Sequence, residues 1–212
     1  MKNYNLDGLK EEFVRTYFPD YPANATFSPD DCEILGKSVN AAIARNPTYN
    51  HGHATGKDKL EIKEFWKQEL RKVASKYKTS KQSADTYVED VKFLKNAVNK
   101  HFANKVWLNN TLSNGLRISH AQKSLAVYLK YLWCLNDKMP DPPCCPVDST
   151  VLGECKMAGK RWTKIDSIRE FRSILETVNE KTKTEQFPSI AQWELCIFNM
   201  AKSKKKKSKT RK

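Results

Sequence analysis

Two consecutive segments carry apolar side chains at spacings of three and four residues, and this periodicity constrains the fold more than any other feature. In residues 57–78 the apolar positions that share one face are Ile62, Phe65, Trp66, Leu70, Val73 and Tyr77. In residues 81–103 they are Tyr87, Val88, Val91, Leu94, Val98 and Phe102. This spacing is typical of amphipathic α-helices, which bury their apolar stripes against each other. The sequence therefore predicts two long packed helices here.

The rest of the chain also favours helices. Further helices are predicted at residues 6–18, 28–45, 120–135, 147–157 and 163–178, and a last one opens at Phe187-Pro188-Ser189. The 28–45 helix starts with a capping serine and a first-turn proline, and the 163–178 helix starts with a capping-box-like Thr163–Asp166. The 120–135 helix is apolar on several sides, so we expect it to be central and buried. Four prolines in residues 136–146 end that helix.

No segment alternates convincingly with period two, so the predicted fold class is all-α. We expect one helical domain over residues 1–200, with room for two lobes around a shared cleft. A lysine-rich segment, residues 201–212, follows it and is predicted to be disordered because its composition is of low complexity.

The charge balance points to an anionic partner. The chain has a formal net charge of +14, and seven lysines and one arginine in residues 201–212 leave +6 on residues 1–200. A basic surface attracts nucleic acid or an anionic membrane, although a solubilising charge excess would look the same. We expect no membrane association, because no run approaches the roughly 20 apolar residues of a membrane span.

The cysteines and the first residues of the chain bear on its location. Residues 1–20 contain no continuous apolar core of a secretory signal, which favours a cytoplasmic, intracellular protein. The six cysteines are scattered without a Cys-x-x-Cys pair, so we expect reduced thiols and neither a metal nor another cofactor.

Lys123 and Asp148 are the residues of the chain best suited to catalysis by their chemistry. Lys123 lies at the start of the 120–135 helix, and Asp148 lies where the next helix begins. An amine and a carboxylate that meet can act together on a sugar, the amine as nucleophile and the carboxylate as its electrostatic support. The alternative is a solvated lysine and an aspartate that only caps its helix.

The sequence around this pair resembles the helix-hairpin-helix DNA glycosylases. Gln122-Lys123-Ser124-Leu125-Ala126-Val127 is similar to the Lys-Thr-Ala-like helix start that ends the hairpin in that family. Pro146-Val147-Asp148-Ser149-Thr150-Val151 is similar to the Val-Asp-Thr-His-like segment that carries the catalytic aspartate. A capped helix and a final helix with Trp193 near its start follow in the same order. The resemblance covers residues 114–200.

The resemblance implies a two-lobed fold and an activity on damaged or modified bases in DNA, with DNA favoured over RNA. Lys123 would attack the anomeric carbon and form a Schiff base, which requires a desolvated and partly unprotonated amine, and Asp148 would assist it. Nucleic-acid contacts are expected from the hairpin turn and the tail, namely Arg117, Ser119, His120, Gln122, Lys204, Lys205, Lys206 and Lys207. Two alternatives stay open: a catalytically silent nucleic-acid-binding module, and a helical interaction subunit with a basic tether. The oligomeric state is open.

Overall fold

The computed structural model describes residues 4–19, 31–44, 48, 54–102, 115–157 and 159–209, without the side chains of residues 204–209. The α-helices are α1 (Leu6–Tyr17), α2 (Asp31–Ile43), α3 (Gly56–Ala74), α4 (Ala84–Phe102), α5 (Ile118–Leu135), α6 (Ser149–Glu154), α7 (Ile168–Thr184) and α8 (Ile190–Lys209). Two 3-10 turns span Ser75–Lys78 and Trp162–Lys164. The described ranges contain no strand, so the predicted all-α class is confirmed.

Helix α5 is the centre of the fold, as its apolar surface predicts. Fourteen of its 18 residues are buried, and α1, α2, α3 and α4 all pack against it. Its contact with α3 includes a buried hydrogen bond, in which the Trp66 indole donates to the Ser124 hydroxyl at 3.1 Å. Helix α8 packs on α1, α6 and α7. A helix that is covered on several sides must carry apolar or paired side chains nearly all round.

The two long helices predicted from periodicity are present as α3 and α4. Of the predicted stripe on α3 and the turn after it, every member except Phe65 is buried, and Phe65 is partly buried. The start of α3 is fixed by a capping box, in which Thr55 and Asp58 exchange hydrogen bonds between side chain and backbone. The predicted helix start at residues 28–30 lies outside the described residues.

The start of α7 differs from the prediction. The helix begins at Ile168 with Ser167 as its capping residue, so the expected start at Thr163 is wrong. The reason is that Asp166 is engaged elsewhere: its carboxylate accepts from Lys95 Nζ at 2.6 Å and from the backbone N–H of Ile118 at 3.1 Å. Asp166 therefore ties α4 and the start of α5 together instead of capping its own chain segment.

Helix α8 also differs, because its backbone continues through Lys209 into the segment predicted to be disordered. Residues 201–209 contain neither proline nor glycine, and alanine and lysine are good helix formers, so nothing in that stretch ends the helix. Within the described ranges, none of the helices combines the length and apolarity that crossing a bilayer requires.

Candidate functional site

Lys123 and Asp148 are in direct contact. The Nζ atom of Lys123, on the first turns of α5, lies 2.7 Å from Oδ2 of Asp148. The other carboxylate oxygen of Asp148 caps α6, because Oδ1 accepts from the backbone N–H groups of Thr150 at 2.9 Å and Val151 at 3.2 Å. Asp148 therefore contacts Lys123 and caps α6 at the same time, each with a separate oxygen atom. The capping bonds fix the carboxylate in the orientation that meets the amine.

The neighbours of these two residues set their separation. Gln122 precedes Lys123, and Val147 precedes Asp148. The Gln122 side-chain amide donates to the carbonyl oxygen of Val147 at 2.8 Å and accepts from the Val147 N–H at 3.1 Å. Both residues are fully buried. This reciprocal pair of hydrogen bonds acts like one rung of a sheet and holds the segment before α6 in register with α5.

The electrostatics of the pair favour an ionised carboxylate. Burial by itself raises the pKa of Asp148, but the charge of Lys123 and the hydrogen bonds from Lys123, Val151 and Thr150 outweigh it and hold the pKa below its ordinary value. The Lys123 side chain is only 11% exposed and that of Asp148 is 25% exposed. The ammonium also lies 5.8 Å from the centre of the Trp162 ring. The resting state is therefore a largely desolvated ion pair.

The pair lines a cavity of about 540 Å³. The walls come from α1, α2, α5, the start of α6 and α8. Four aromatic side chains line one part of it, and they are Phe13, Tyr17, Tyr131 and Phe198. Lysines from three helices line the rest, and they are Lys37, Lys123, Lys130 and Lys202. A cavity of this size, partly aromatic with a few convergent charges, is typical of a small-molecule site.

A second lysine–carboxylate pair lies on the same cavity wall. Lys130 Nζ is 2.6 Å from Glu194 Oε2, and the two side chains are 7% and 5% exposed. The Lys130 ammonium also lies 4.6 Å and 4.1 Å from the ring centres of Phe13 and Phe198. Lys130 follows Lys123 by seven residues, which is two helical turns, so both lie on one face of α5. That spacing is the one signal in the sequence that relates Lys130 to Lys123.

The four hairpin-turn side chains that were predicted to contact nucleic acid lie inside the protein. Arg117 is 5% exposed, and Ser119, His120 and Gln122 are fully buried. His120 Nδ1 accepts from the Arg117 backbone N–H at 3.1 Å, and His120 Nε2 lies 2.9 Å from the hydroxyl of Thr48. The four side chains therefore face the protein interior, and their predicted contact with nucleic acid stays a prediction. They are buried because α5 starts at the protein centre and not at its edge.

The hydrogen bonds of Ser119 are likewise made within the protein. Its hydroxyl donates to the Thr163 carbonyl at 3.2 Å, and its backbone N–H donates to the Ile165 carbonyl at 2.8 Å. Residues 163–165 therefore cover the start of α5. Lys204, Lys205, Lys206 and Lys207 lie on the last turns of α8, where only the backbone is described. Their predicted contact with nucleic acid stays a prediction.

The described residues offer few groups that could bind a metal ion. All six cysteines are free thiols. Among the described residues, no group of three or more histidine, cysteine or acidic side chains is placed to hold a metal ion. Burial raises the pKa of the Cys134 thiol to about 12, which favours an inert, protonated side chain there. The chemistry of the cavity therefore depends on amines, carboxylates and hydroxyls.

Comparison of the chain with protein-family models, with curated proteins and with solved structures found no match. The arrangement provides a lysine amine, an ionised carboxylate in contact with it, and an aromatic wall with positive charge around it. These groups suit nucleophilic attack on an electrophilic carbon of an anionic, ring-containing ligand.

Proposed function

We propose that this chain is a DNA-binding protein that removes a damaged or modified base from a nucleotide held in the cavity, as a glycosylase with lyase activity. The observation that carries the proposal is the 2.7 Å contact between Lys123 Nζ and Asp148 Oδ2 on the wall of the 540 Å³ cavity. An amine beside a fixed carboxylate in a desolvated site is the minimum that such chemistry requires. The resemblance of residues 114–200 to the helix-hairpin-helix glycosylases agrees with the same assignment.

Under this proposal the two residues have separate roles. Lys123 passes one proton by way of Asp148 Oδ2 to the leaving base, so that Asp148 ends ionised, and the lone pair of the neutral amine forms a bond to the sugar carbon C1′. The bond between C1′ and the base breaks, and the base leaves with its electron pair. The ring oxygen then takes a second proton from the nitrogen now bonded to C1′, as the sugar opens to a Schiff base with Lys123. A carboxylate at Asp148 also stabilises the positive charge that develops on the sugar.

The surroundings support a nucleotide as the ligand. The cavity is lined partly by aromatic side chains, against which a base can pack, and partly by lysines, whose positive charge attracts a phosphate. A base inside a duplex can reach such a site only after it leaves the stack, which costs least at a damaged or mismatched position. The basic segment 201–212 would add affinity for the backbone without sequence preference.

A catalytically silent nucleic-acid-binding module is the second candidate. It is favoured by the completeness of the Lys123–Asp148 pair, which already satisfies both charges and one helix end without any ligand. The third candidate, an interaction subunit with a basic tether, would show little affinity for nucleic acid once residues 201–212 are removed. These candidates predict binding without turnover, or no binding by residues 1–200.

The test is release of free base and strand cleavage on a panel of duplexes that carry deaminated, oxidised or alkylated bases. The proposal predicts turnover on at least one duplex and its loss in Lys123→Gln. The matched control is Lys95→Gln, which removes another partly buried lysine that lies 2.6 Å from an aspartate, Asp166, away from the cavity. Equal activity in Lys123→Gln and the control would refute the role of Lys123. Binding to every duplex without turnover would favour the silent module.

A further inference from the structure

The connection between α6 and α7 carries a run of positive charge that the mechanism above does not use. Its residues 156–164, the basic loop, contain four basic side chains and no acidic one. These side chains are Lys156, Lys160, Arg161 and Lys164, and all four are exposed. A stretch of nine residues therefore carries four positive charges, in a region, residues 1–200, whose net charge is +6.

Most of the cations in the basic loop have no carboxylate partner. Within the described ranges, Lys160 is the one member that forms an ion pair, with Glu170 at 3.5 Å. A second basic run, residues 71–81, differs in this respect. There Arg71, Lys72 and Lys76 are paired with Asp31, Glu69 and Asp90. Charges that the protein does not neutralise itself are available to an anionic partner.

The basic loop is held against the start of α5, beside Lys123. The Thr163 carbonyl accepts from the Ser119 hydroxyl at 3.2 Å, and the Ile165 carbonyl accepts from the Ser119 backbone N–H at 2.8 Å. The ring centre of Trp162 lies 5.8 Å from Lys123 Nζ. These contacts fix the backbone of the loop next to the amine, while its basic side chains stay exposed.

A phosphodiester backbone is the partner that fits this surface. It presents negative charges in a continuous row, and lysine and arginine side chains are common partners of phosphates in proteins that bind nucleic acids. The hairpin-turn side chains lie inside the protein, so a strand that delivers a nucleotide to Lys123 has to be held by another surface. The basic loop provides such a surface next to Lys123, with unpaired cations.

We propose that the basic loop binds the sugar–phosphate backbone of the DNA strand whose nucleotide enters the cavity, with Lys156, Arg161 and Lys164 as the phosphate contacts. This inference rests on the proposed function, since it names the surface that would hold the strand during the reaction. Binding of this kind is electrostatic and independent of base sequence, so an undamaged duplex also reports it.

The experiment measures the fluorescence anisotropy of a labelled, undamaged duplex titrated with the full chain at several salt concentrations. The variant carries Lys156→Gln, Arg161→Gln and Lys164→Gln together. Each lost phosphate contact should reduce the slope of log affinity against log salt concentration by about 0.9, so the triple variant should lose about 2.7. At low salt its affinity should fall by about tenfold or more.

The matched control carries Lys78→Gln, Lys81→Gln and Lys138→Gln together. It removes three exposed lysines that form no ion pair within the described ranges and that lie outside both the basic loop and the cavity wall. Both triple variants change the net charge equally, but the control should keep most of the salt slope. Equal reductions of the slope in the two variants would overturn the inference, because net charge alone would then explain them.

Lys156 permits a second test in which a folding defect cannot imitate the result. Its backbone is left-handed, with φ 57°, in a Schellman turn after α6. In that turn the Lys156 N–H donates to the Gly153 carbonyl at 3.0 Å, and the Met157 N–H donates to the Leu152 carbonyl at 2.8 Å. Glycine is favoured at this position, so Lys156→Gly should raise the melting temperature. It should nevertheless weaken duplex binding and reduce the salt slope by about 0.9.

Gln186→Gly is the control for that substitution. Gln186 is exposed and uncharged, and it has the same left-handed conformation, with φ 60°, after α7. Its replacement should also raise the melting temperature but leave duplex binding unchanged. Duplex binding that is equally unchanged in Lys156→Gly would contradict the proposed phosphate contact of Lys156.

The same variants separate this inference from the proposed function. Base release that depends on Lys123, with equal salt slopes for wild type and the basic-loop variant, would overturn the inference and leave the proposed function standing. Duplex binding that depends on the loop, without base release from any damaged duplex, would support the inference and reject the enzymatic part of the proposed function. Loop-dependent binding to anionic phosphatidylserine vesicles, with duplex binding unchanged in the variant, would overturn the inference in favour of a membrane surface.

Discussion

The replacement Gln122→Leu tests how the Lys123–Asp148 contact is held in place. Leucine has a volume close to that of glutamine but has no polar atoms, so the change removes the hydrogen bonds and little of the packing. The wild-type side chain makes two bonds to Val147, at 2.8 and 3.1 Å, and one to the Ser119 carbonyl at 3.3 Å. All of these groups are buried.

The expected loss of stability follows from the groups that are left behind. The N–H and carbonyl of Val147 would both be buried without this partner, and each such group costs about 1–3 kcal/mol. Burial of leucine in place of an amide offsets roughly 1 kcal/mol of that total. We therefore expect the free energy of unfolding to fall by about 3 kcal/mol, a large share of the roughly 5–15 kcal/mol of a typical domain.

The assay is urea denaturation followed by helical circular dichroism, with Gln68→Leu as the control. Gln68 is exposed on α3, and a surface change of this kind is expected to stay within about 0.5 kcal/mol. At zero denaturant, Gln122→Leu should also lower the Lys123-dependent activity, because the segment before Asp148 loses its register with α5. A loss of stability below 1 kcal/mol, with activity at the wild-type level, would refute the positioning role of Gln122.

Two further predictions concern the ion pairs of the cavity. Asp148→Asn keeps a side-chain oxygen for the α6 cap and removes the charge, so it should destabilise the protein at neutral pH by about 2 kcal/mol, below the 3–5 kcal/mol of a fully buried pair. Because the pKa of Asp148 is lowered on folding, its stabilisation is present above its ordinary value of 3.8 and is lost as the pH falls through the lower folded value. Unfolding measured between pH 7 and pH 2 should therefore show wild type and Asp148→Asn converging below about pH 4; a constant difference would contradict this. Glu194→Gln leaves the Lys130 ammonium buried without its counter-charge and should cost about 3 kcal/mol in the same denaturation assay, whereas a cost below 1 kcal/mol would show that the ring faces of Phe13 and Phe198 suffice.

The helices could be predicted from the sequence because their periodicity is a local property. The α3 and α4 stripes, the end of α1 near Pro19, and the proline-rich break after α5 all follow from residues close to one another in the chain. The predicted start of α7 was wrong because Asp166 has its hydrogen-bond partners on α4 and α5, which are far away in sequence. A capping motif states which bonds a side chain can make, and the tertiary structure decides which of them it does make.

Part of the candidate site could be predicted from local sequence, and part is visible only in the folded structure. Lys123 and Asp148 were found because a local motif surrounds each of them, and the structure brings the two together. The burial of the four hairpin-turn residues could not be predicted, because it depends on the helices packed around α5, which no local pattern around Arg117 and His120 reveals. Tyr17, Lys37 and Lys202 line the cavity from three different helices, so only the fold shows that they share a site with Lys123.

The most direct test of the central claim is borohydride trapping on a duplex that contains an abasic site, followed by peptide mapping of the covalent adduct. The account predicts one adduct, located on the peptide that contains Lys123, that is absent in Lys123→Gln and retained in Lys95→Gln. An adduct on another lysine, or no adduct although the duplex is bound, would contradict the claim that the Lys123–Asp148 pair acts on the sugar of a nucleotide.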